Sequence, residues 1–227
     1  MRAIYYPNLA TNFETLLLSN DKAKYLIKVV RIKLAEELKL LDGKGRITLT
    51  KVIGISKKEI QLEFVSSQLL ELHDEIDLLV GKVKKDAMDL IIKMAVELGI
   101  TKLIMAKTEH SQQYPLKSER VDSLIESAIE QSNNPYLLKI EESLLSEVDF
   151  AYYDFKLCFS SEYEKALKLN HRAKRTLLIV GPEGGFSREE EDFIDTFVDG
   201  KIHLDSPIMR TPTAVACGVG LIQGLRR

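Results

Sequence analysis

Residues 177–193 read LLIVGPEGGFSREEEDF. An apolar run ends in Gly181-Pro182-Glu183-Gly184-Gly185, and an acid-rich segment follows. Thr176–Val180 has the length and branched aliphatic content of a buried strand. Ser187-Arg188-Glu189-Glu190 is a capping box that opens a helix with Phe193, Ile194 and Phe197 turned inward. GPEGGF is then the loop at the carboxyl end of a parallel strand, where open α/β sheets place their ligands. Its glycines admit φ > 0 and let backbone amides approach a ligand with no Cβ in the way. The loop is neither GxGxxG nor a P-loop, because no Lys-Ser/Thr pair follows. A phosphate cradle also calls for positive surroundings, and Glu183, Glu189, Glu190 and Glu191 are acidic. Taken alone, the loop reads equally well as a tight strand-to-helix turn.

From about residue 75, strands and helices alternate. EIDLLVGKV reads as a buried strand, and Lys85–Leu98 as a helix with Met88, Ile91, Ile92, Ala95 and Leu98 on one side, stopped by Gly99. TKLIMAK is the next strand, and Ser118–Gln131 a helix with Val121, Leu124, Ile125, Ala128 and Ile129 inward. FKLCFS, RTLLIV and KIHLD are further short strands. This alternation predicts a parallel sheet covered on both faces. The first seventy residues differ. Ile47 and Leu49, then Ile60, Leu62 and Phe64, follow a two-residue period broken by Asp42-Gly43-Lys44-Gly45 and Ser56-Lys57-Lys58, as hairpins do. One helix, DKAKYLIKVVRIK, precedes them, with Tyr25, Leu26, Val29 and Val30 at helical spacing. The pattern predicts a small β-barrel-like domain over 1–72 and an α/β domain over 73–227.

The bulk numbers narrow the class. With 227 residues, 45% hydrophobic and 29% charged, the chain can bury a core and is not composed like a disordered one. No apolar run approaches the ~20 residues of a membrane span. MRAIYYPNLA has no signal-peptide core, so a cytoplasmic location is expected. Cys158 and Cys217 lie far apart without a CxxC partner and read as reduced thiols, with a disulfide the lesser alternative. Neither they nor His73, His110, His171 and His203 have metal-ligand spacing, so no metal is expected. Residues 1–72 carry twelve Lys/Arg against eight Asp/Glu, and the remainder twenty against twenty-six. The excess of cations at the N-terminal end points to an anion such as RNA; a solvated lysine-rich surface accounts for it equally well.

The chain closes with HLDSPIMRTPTAVACGVGLIQGL. Thr211 then Pro212 is an N-cap/N1 helix start. Small residues line that helix: Ala214, Ala216, Cys217, Gly218 and Gly220. Glycine inside a helix costs about 1 kcal/mol against alanine, so two of them predict another backbone packed close by.

Together GPEGGFS and HLDSPIMRTPTA resemble the RNA methyltransferases of the SPOUT superfamily. More narrowly, the chain resembles the ribosomal RNA small subunit methyltransferase E family, with its pattern GPEGG(F/L)(S/T)…LG…ILR…ETA. KKDAMDLIIKMAVELGI is similar to the family's K-x-x-(R/K)-x-(E/D)-x-x-x-x-K-x-x-ELG helix, TKLIMAKTEHS to its strand with a Ser-Glu-Arg type tail, and SAIEQSNNPY to its E-Q-(S/C)-G-R segment. KYLIKVVRIK and LLDGKG match its N-terminal module. The similarity runs in order along essentially the whole chain.

The resemblance implies an α/β fold: a C-terminal SPOUT domain with a parallel sheet and a deep trefoil knot over about 155–227, plus a small PUA-like β-barrel domain. It implies S-adenosylmethionine held by three loops. The first follows Phe159 and Ser160. The second is Val180, Gly181, Pro182, Glu183, Gly184 and Gly185. The third runs from Leu204 through Ile208, Met209 and Arg210 to Thr213 and Ala214. It implies a homodimer with the last helix at the interface, and methylation of N3 of a uridine in small-subunit ribosomal RNA, naked or assembled. Arg210, at the family's ILR arginine, is the candidate for orienting RNA or stabilising developing negative charge; an arginine paired with a loop carboxylate is its structural counterpart. Glu183 is the second catalytic candidate, orienting its own loop or contacting the substrate side, with proton abstraction ranked below these. Lys28, Arg31, Lys85, Lys93 and Gln131 are the candidate RNA contacts. Three positions depart from the pattern: Pro212 stands for its glutamate, Asn133-Asn134 for Gly-Arg, and Tyr25 for a histidine. They leave open a second reading, a catalytically idle RNA-binding protein that kept the fold. A third, a nucleotide-phosphate-binding protein, is opposed by the acidic loop.

Overall fold

The computed structural model describes residues 2–10, 13–19, 21–160 and 173–225. They fall into two units, Met1–Leu72 with Glu126–Leu137, and His73–Ile125 with Leu138–Arg227.

In the first unit, β1 (Arg2–Tyr5), β2 (Thr15–Leu18), β3 (Glu37–Leu41), β4 (Arg46–Ile55) and β5 (Ile60–Leu69) form one sheet in the order β1-β3-β4-β5-β2. Only β1 and β3 pair in parallel. Ile4, Leu18, Leu26, Leu38, Leu40, Val52, Ile60 and Leu62 make the core. The inward face of β4 is not the expected one. Thr48, Thr50 and Val52 are buried while Ile47 and Leu49 are half-buried. The hydroxyls can be buried because each has a partner: Thr50 Oγ1 donates to Leu38 O at 2.8 Å, and Thr48 Oγ1 meets Ser67 Oγ at 3.1 Å.

The expected helix over 21–33 is also divided. α1 covers Asp21–Tyr25, a π-helical turn covers Leu26–Val30, and Arg31 ends it at φ 56°. Ile32 N closes the turn on Leu26 O at 3.0 Å, and both side chains are buried. The wider turn buries Leu26 and Ile32 and leaves Tyr25 and Val29 exposed. Segment 126–137, assigned to the second domain by sequence, groups with this unit through specific bonds: Gly45 N to Pro135 O at 3.0 Å, Leu137 N to Gly43 O at 2.9 Å, and Tyr136 OH to Leu70 O at 2.6 Å.

The second unit has β6 (Glu75–Gly81), α2 (Lys85–Glu97), β7 (Lys102–Lys107), β8 (Lys139–Leu144), β9 (Phe155–Phe159), β10 (Arg175–Val180), α4 (Arg188–Asp195), β11 (Gly200–Ile202) and α5 (Thr211–Leu225). The helix α3 (Ser118–Ser132) starts here and ends in the first unit. All six strands are parallel, ordered β11-β9-β10-β6-β7-β8. The chain leaves β6 toward β7 and leaves β10 toward β11, on opposite sides. The carboxyl ends of β6 and β10 therefore form the switch point where such sheets open a crevice. Buried Leu78, Leu79, Val80, Leu177, Leu178 and Ile179 make the sheet's middle apolar on both faces. Gly99, at φ 71°, ends α2 as its sequence position predicts.

Candidate active site

Pro182 packs on the end of β6: a Cβ at Gly81 would stand 2.4 Å from its Cδ. Glycine at 81 is therefore required for this approach. From Pro182 the chain makes a tight turn, with Gly185 N donating to Pro182 O at 2.9 Å and Gly185 at φ 74°. Five further bonds hold the turn and its flanks. Thr211 Oγ1 donates to Gly181 O at 3.2 Å, and Lys84 N donates to Glu183 Oε1 at 3.3 Å. His110 Nδ1 lies 3.2 Å from Gly185 O. Glu190 bridges two segments, its Oε2 accepting from Ser187 N at 2.9 Å and its Oε1 from Glu109 N at 2.8 Å. The Ser187–Glu190 capping box forms as predicted.

This turn walls a cleft of about 380 Å³ at the carboxyl ends of β9, β10 and β11. Most of the residues expected to meet a cofactor line it: Phe159 and Ser160; Val180, Gly181, Pro182, Glu183, Gly184 and Gly185; Leu204, Ile208, Met209 and Ala214. Arg210 and Thr213 do not; both are exposed. The reason is where α5 begins. Ala214 N donates to Arg210 O at 3.0 Å, so the helix starts at Thr211, one residue before the expected N1. Thr211 is then no side-chain cap, and its hydroxyl turns to Gly181 instead. Arg210 stands at the cleft mouth in sequence, between Met209 and Thr211, which do line it. The loop after Ser160, the first of the three expected, lies outside the described residues, as does His171.

Ser206, Pro207 and Thr211 line the cleft within the expected third loop without having been singled out; Cys158, Phe186, Lys201 and His203 were not expected there, nor were three residues of α4: Glu191, Ile194 and Asp195. The last three had a signal, the i, i+3, i+4 spacing that puts them on one helical face. Asp195 Oδ2 is held by Lys201 Nζ at 2.8 Å.

The predicted close neighbour of α5 is a side chain. A Cβ at Gly218 would lie 2.9 Å from Leu178 Cδ2, whereas Gly220 has nothing within 4 Å. Behind the Pro182 turn, Lys82 is buried, donating to Glu142 Oε1 at 2.8 Å and Tyr114 O at 2.6 Å. Burial, and then the charges of Asp89, Glu142 and Glu183, push the Tyr114 phenol up to about 12. It stays protonated and donates to Val83 O at 3.0 Å.

A family model described as the RNA methyltransferase domain matches residues 70–223, and one for the RNA methyltransferase PUA domain matches residues 18–65. The chain belongs to the RNA methyltransferase family. Among similar members, the ribosomal RNA small subunit methyltransferase E of Rickettsia conorii is 28% identical over 95% of this chain and 91% of its own. The Aquifex aeolicus protein of that description is 28% identical over 91% and 93%. The crystal structure of the Neisseria gonorrhoeae ribosomal RNA small subunit methyltransferase E, bound to S-adenosyl methionine, superposes with a TM-score of 0.85 at 25% identity, covering 99% of this chain and 98% of that one. Within the methyltransferase family's architecture, the cleft lies in the part matched as the RNA methyltransferase domain. Among the described residues no cluster of three or more His, Cys, Asp or Glu could hold a metal, and no helix is long and apolar enough to cross a membrane. Cys158 and Cys217 form no disulfide.

Of the candidate RNA contacts, Lys28 and Arg31 are exposed on the π-turn of the first unit and Gln131 near the end of α3. Lys85 and Lys93 are exposed on α2 of the second.

Proposed function

We propose that this chain is an S-adenosylmethionine-dependent methyltransferase that modifies N3 of a uridine in small-subunit ribosomal RNA. In this reading it is a cytoplasmic homodimer, with a PUA-like RNA-binding domain over 1–72 and a SPOUT domain over 73–227 whose chain is knotted over about 155–227. The observation that carries the reading is the cleft at the carboxyl ends of β9, β10 and β11, walled by the Pro182–Gly185 turn, in a chain of this family. Its volume suits a small organic ligand. Apolar Ile194, Leu204, Met209 and Ala214 offer a surface for a flat heterocycle. The carboxylates of Glu183 and Glu191 favour a cationic ligand over a phosphate. When bound, the cofactor supplies an electrophilic methyl group.

The remaining tasks fall to the protein. The uracil imide must give its N3 proton to solvent water for N3 to take the methyl group that the cofactor's sulfur would release, and the developing negative charge is shared by the exocyclic oxygens O2 and O4. Arg210, exposed beside two cleft residues and unpaired among the described residues, is positioned to offset that charge. Glu183 serves as an anchor: its carboxylate accepts the amide that precedes α2, where a helix favours negative charge. Lys28, Arg31, Lys85, Lys93 and Gln131 supply phosphate and sugar contacts that set the register of the RNA.

The idle reading has an observation of its own. Asn134, where the family has a cation, uses its side chain to accept from Tyr136 N at 3.0 Å. The test is transfer from methyl-labelled S-adenosylmethionine to small-subunit ribosomal RNA and to assembled small subunits, both lacking the modification. Mass spectrometry of the released nucleosides should find 3-methyluridine. Cofactor binding without transfer to either substrate would establish the idle reading, and label in another nucleoside would overturn the assignment to N3.

A further inference from the structure

The turn that follows β7 reaches across to the Pro182–Gly185 turn, and its contact there is through His110. Two features fix where this histidine stands. The segment Thr108–Ser111 is closed on itself, with Ser111 N donating to Thr108 O at 3.1 Å and Thr108 N to Ser111 Oγ at 3.0 Å. Glu190 then accepts Glu109 N at 2.8 Å while capping its own helix, so one carboxylate ties this segment to the start of α4. The side chain of His110 is thereby set over the glycine pair. A Cβ at Gly184 would stand 2.9 Å from His110 Cβ, and Nδ1 lies 3.2 Å from Gly185 O. A carbonyl oxygen only accepts, so this contact is a hydrogen bond with Nδ1 carrying the proton.

We infer that His110 is a positioning residue for the cofactor-binding turn: from outside the cleft lining, its Nδ1–H holds the Gly185 carbonyl and so presets the peptide units of Gly184 and Gly185 that wall the cleft. The inference rests on the reading of the cleft as the S-adenosylmethionine site. The physical need is plain. A turn with two adjacent glycines has the widest conformational freedom of any backbone, and a turn that must be ordered by its ligand lowers affinity by the cost of that ordering. Gly185 N is already bonded within the turn, to Pro182 O at 2.9 Å, so its carbonyl is the group left for an outside clamp. His110 supplies it without entering the cleft, whose lining does not include it. It touches no reacting atom, and its effect is expected on cofactor affinity with little effect on the transfer step.

The test is calorimetric titration of the full chain with S-adenosylmethionine, for the wild type, His110→Ala and His110→Asn. Asparagine places an amide N–H near the position of Nδ1. The alanine variant should bind roughly two- to tenfold more weakly, the share of one hydrogen bond, and the asparagine variant within about twofold of wild type. In steady state the alanine variant should raise KM for the cofactor and leave kcat nearly unchanged. Thermal unfolding of all three checks that the half-exposed site tolerates the changes. Unaltered affinity in the alanine variant, or an equal loss in both variants, would overturn the role given to His110. Failure of the wild type itself to bind would overturn the cofactor reading and this one with it, a result distinct from the other two.

Discussion

Gly81 and Pro182 are in contact across the switch point of the sheet, so close that a Cβ on the first would lie 2.4 Å from Cδ of the second. Backbone and a rigid ring cannot both give way, so Gly81→Ala must displace the Pro182 turn. It should lower stability by about 1–3 kcal/mol, the usual cost of overpacking, and weaken cofactor binding more than any exposed substitution. Denaturant unfolding and ligand titration measure both. Unchanged affinity would mean that the turn does not need its seat on β6.

Glu183→Gln separates the anchor from the base. Glutamine keeps a side-chain oxygen that accepts from Lys84 N but cannot take a proton. If Glu183 anchors its loop, the glutamine variant should transfer methyl groups at a rate within about threefold of wild type, whereas loss of a required base costs roughly a hundredfold or more. A pH–rate profile of the wild type and of Glu183→Gln decides between them.

Arg210→Ala should leave cofactor affinity nearly intact, since the side chain lies outside the cleft lining, and should lower kcat by about two orders of magnitude if its cation offsets charge in the transition state. Paired binding and single-turnover measurements test this. A variant that keeps both properties would remove Arg210 from the mechanism.

Far from the cleft, at the amino end of β6, Asp77 is buried, accepting from Tyr153 OH at 2.8 Å with Lys102 Nζ at 3.8 Å. Burial outweighs these partners and raises its carboxyl above the ordinary 3.8. The native protein therefore binds this proton more tightly than the unfolded chain, and Asp77 costs stability once pH rises above its native value. Asp77→Asn retains an oxygen for Tyr153 and carries no charge. Its stability relative to wild type should improve as pH climbs from about 4, through the raised value, to a plateau. Urea unfolding across that range should show the trend; a pH-independent difference would contradict it.

The parts of the fold legible in the sequence were those with strong local signals. The capping box at Ser187, the Gly99 stop and the apolar runs of β6, β7 and β10 each state their own structure. What was hidden depends on contacts distant in sequence. Thr48 and Thr50 face the core of the first unit only because Leu38 O and Ser67 supply partners. The π-turn at Leu26–Val30 follows from burying both Leu26 and Ile32. Thr211 has the letters of a helix cap, yet its hydroxyl bonds to Gly181, thirty residues back. At the site, the glycine loop and the segment before α5 announced themselves. The wall given by α4 had only its helical spacing to announce it, and the grip of His110 and Glu190 on the turn emerged only with the fold, which brings the loops after β7 and β10 together across the end of β6.

The central claim is that the cleft at the carboxyl ends of β9, β10 and β11 takes S-adenosylmethionine. The most direct measurement is calorimetric titration of the full chain with that compound. Saturable binding of about one molecule per chain is expected, at dissociation constants in the micromolar range common for enzyme substrates, with competition by S-adenosylhomocysteine. An absence of saturable binding at millimolar ligand would contradict it.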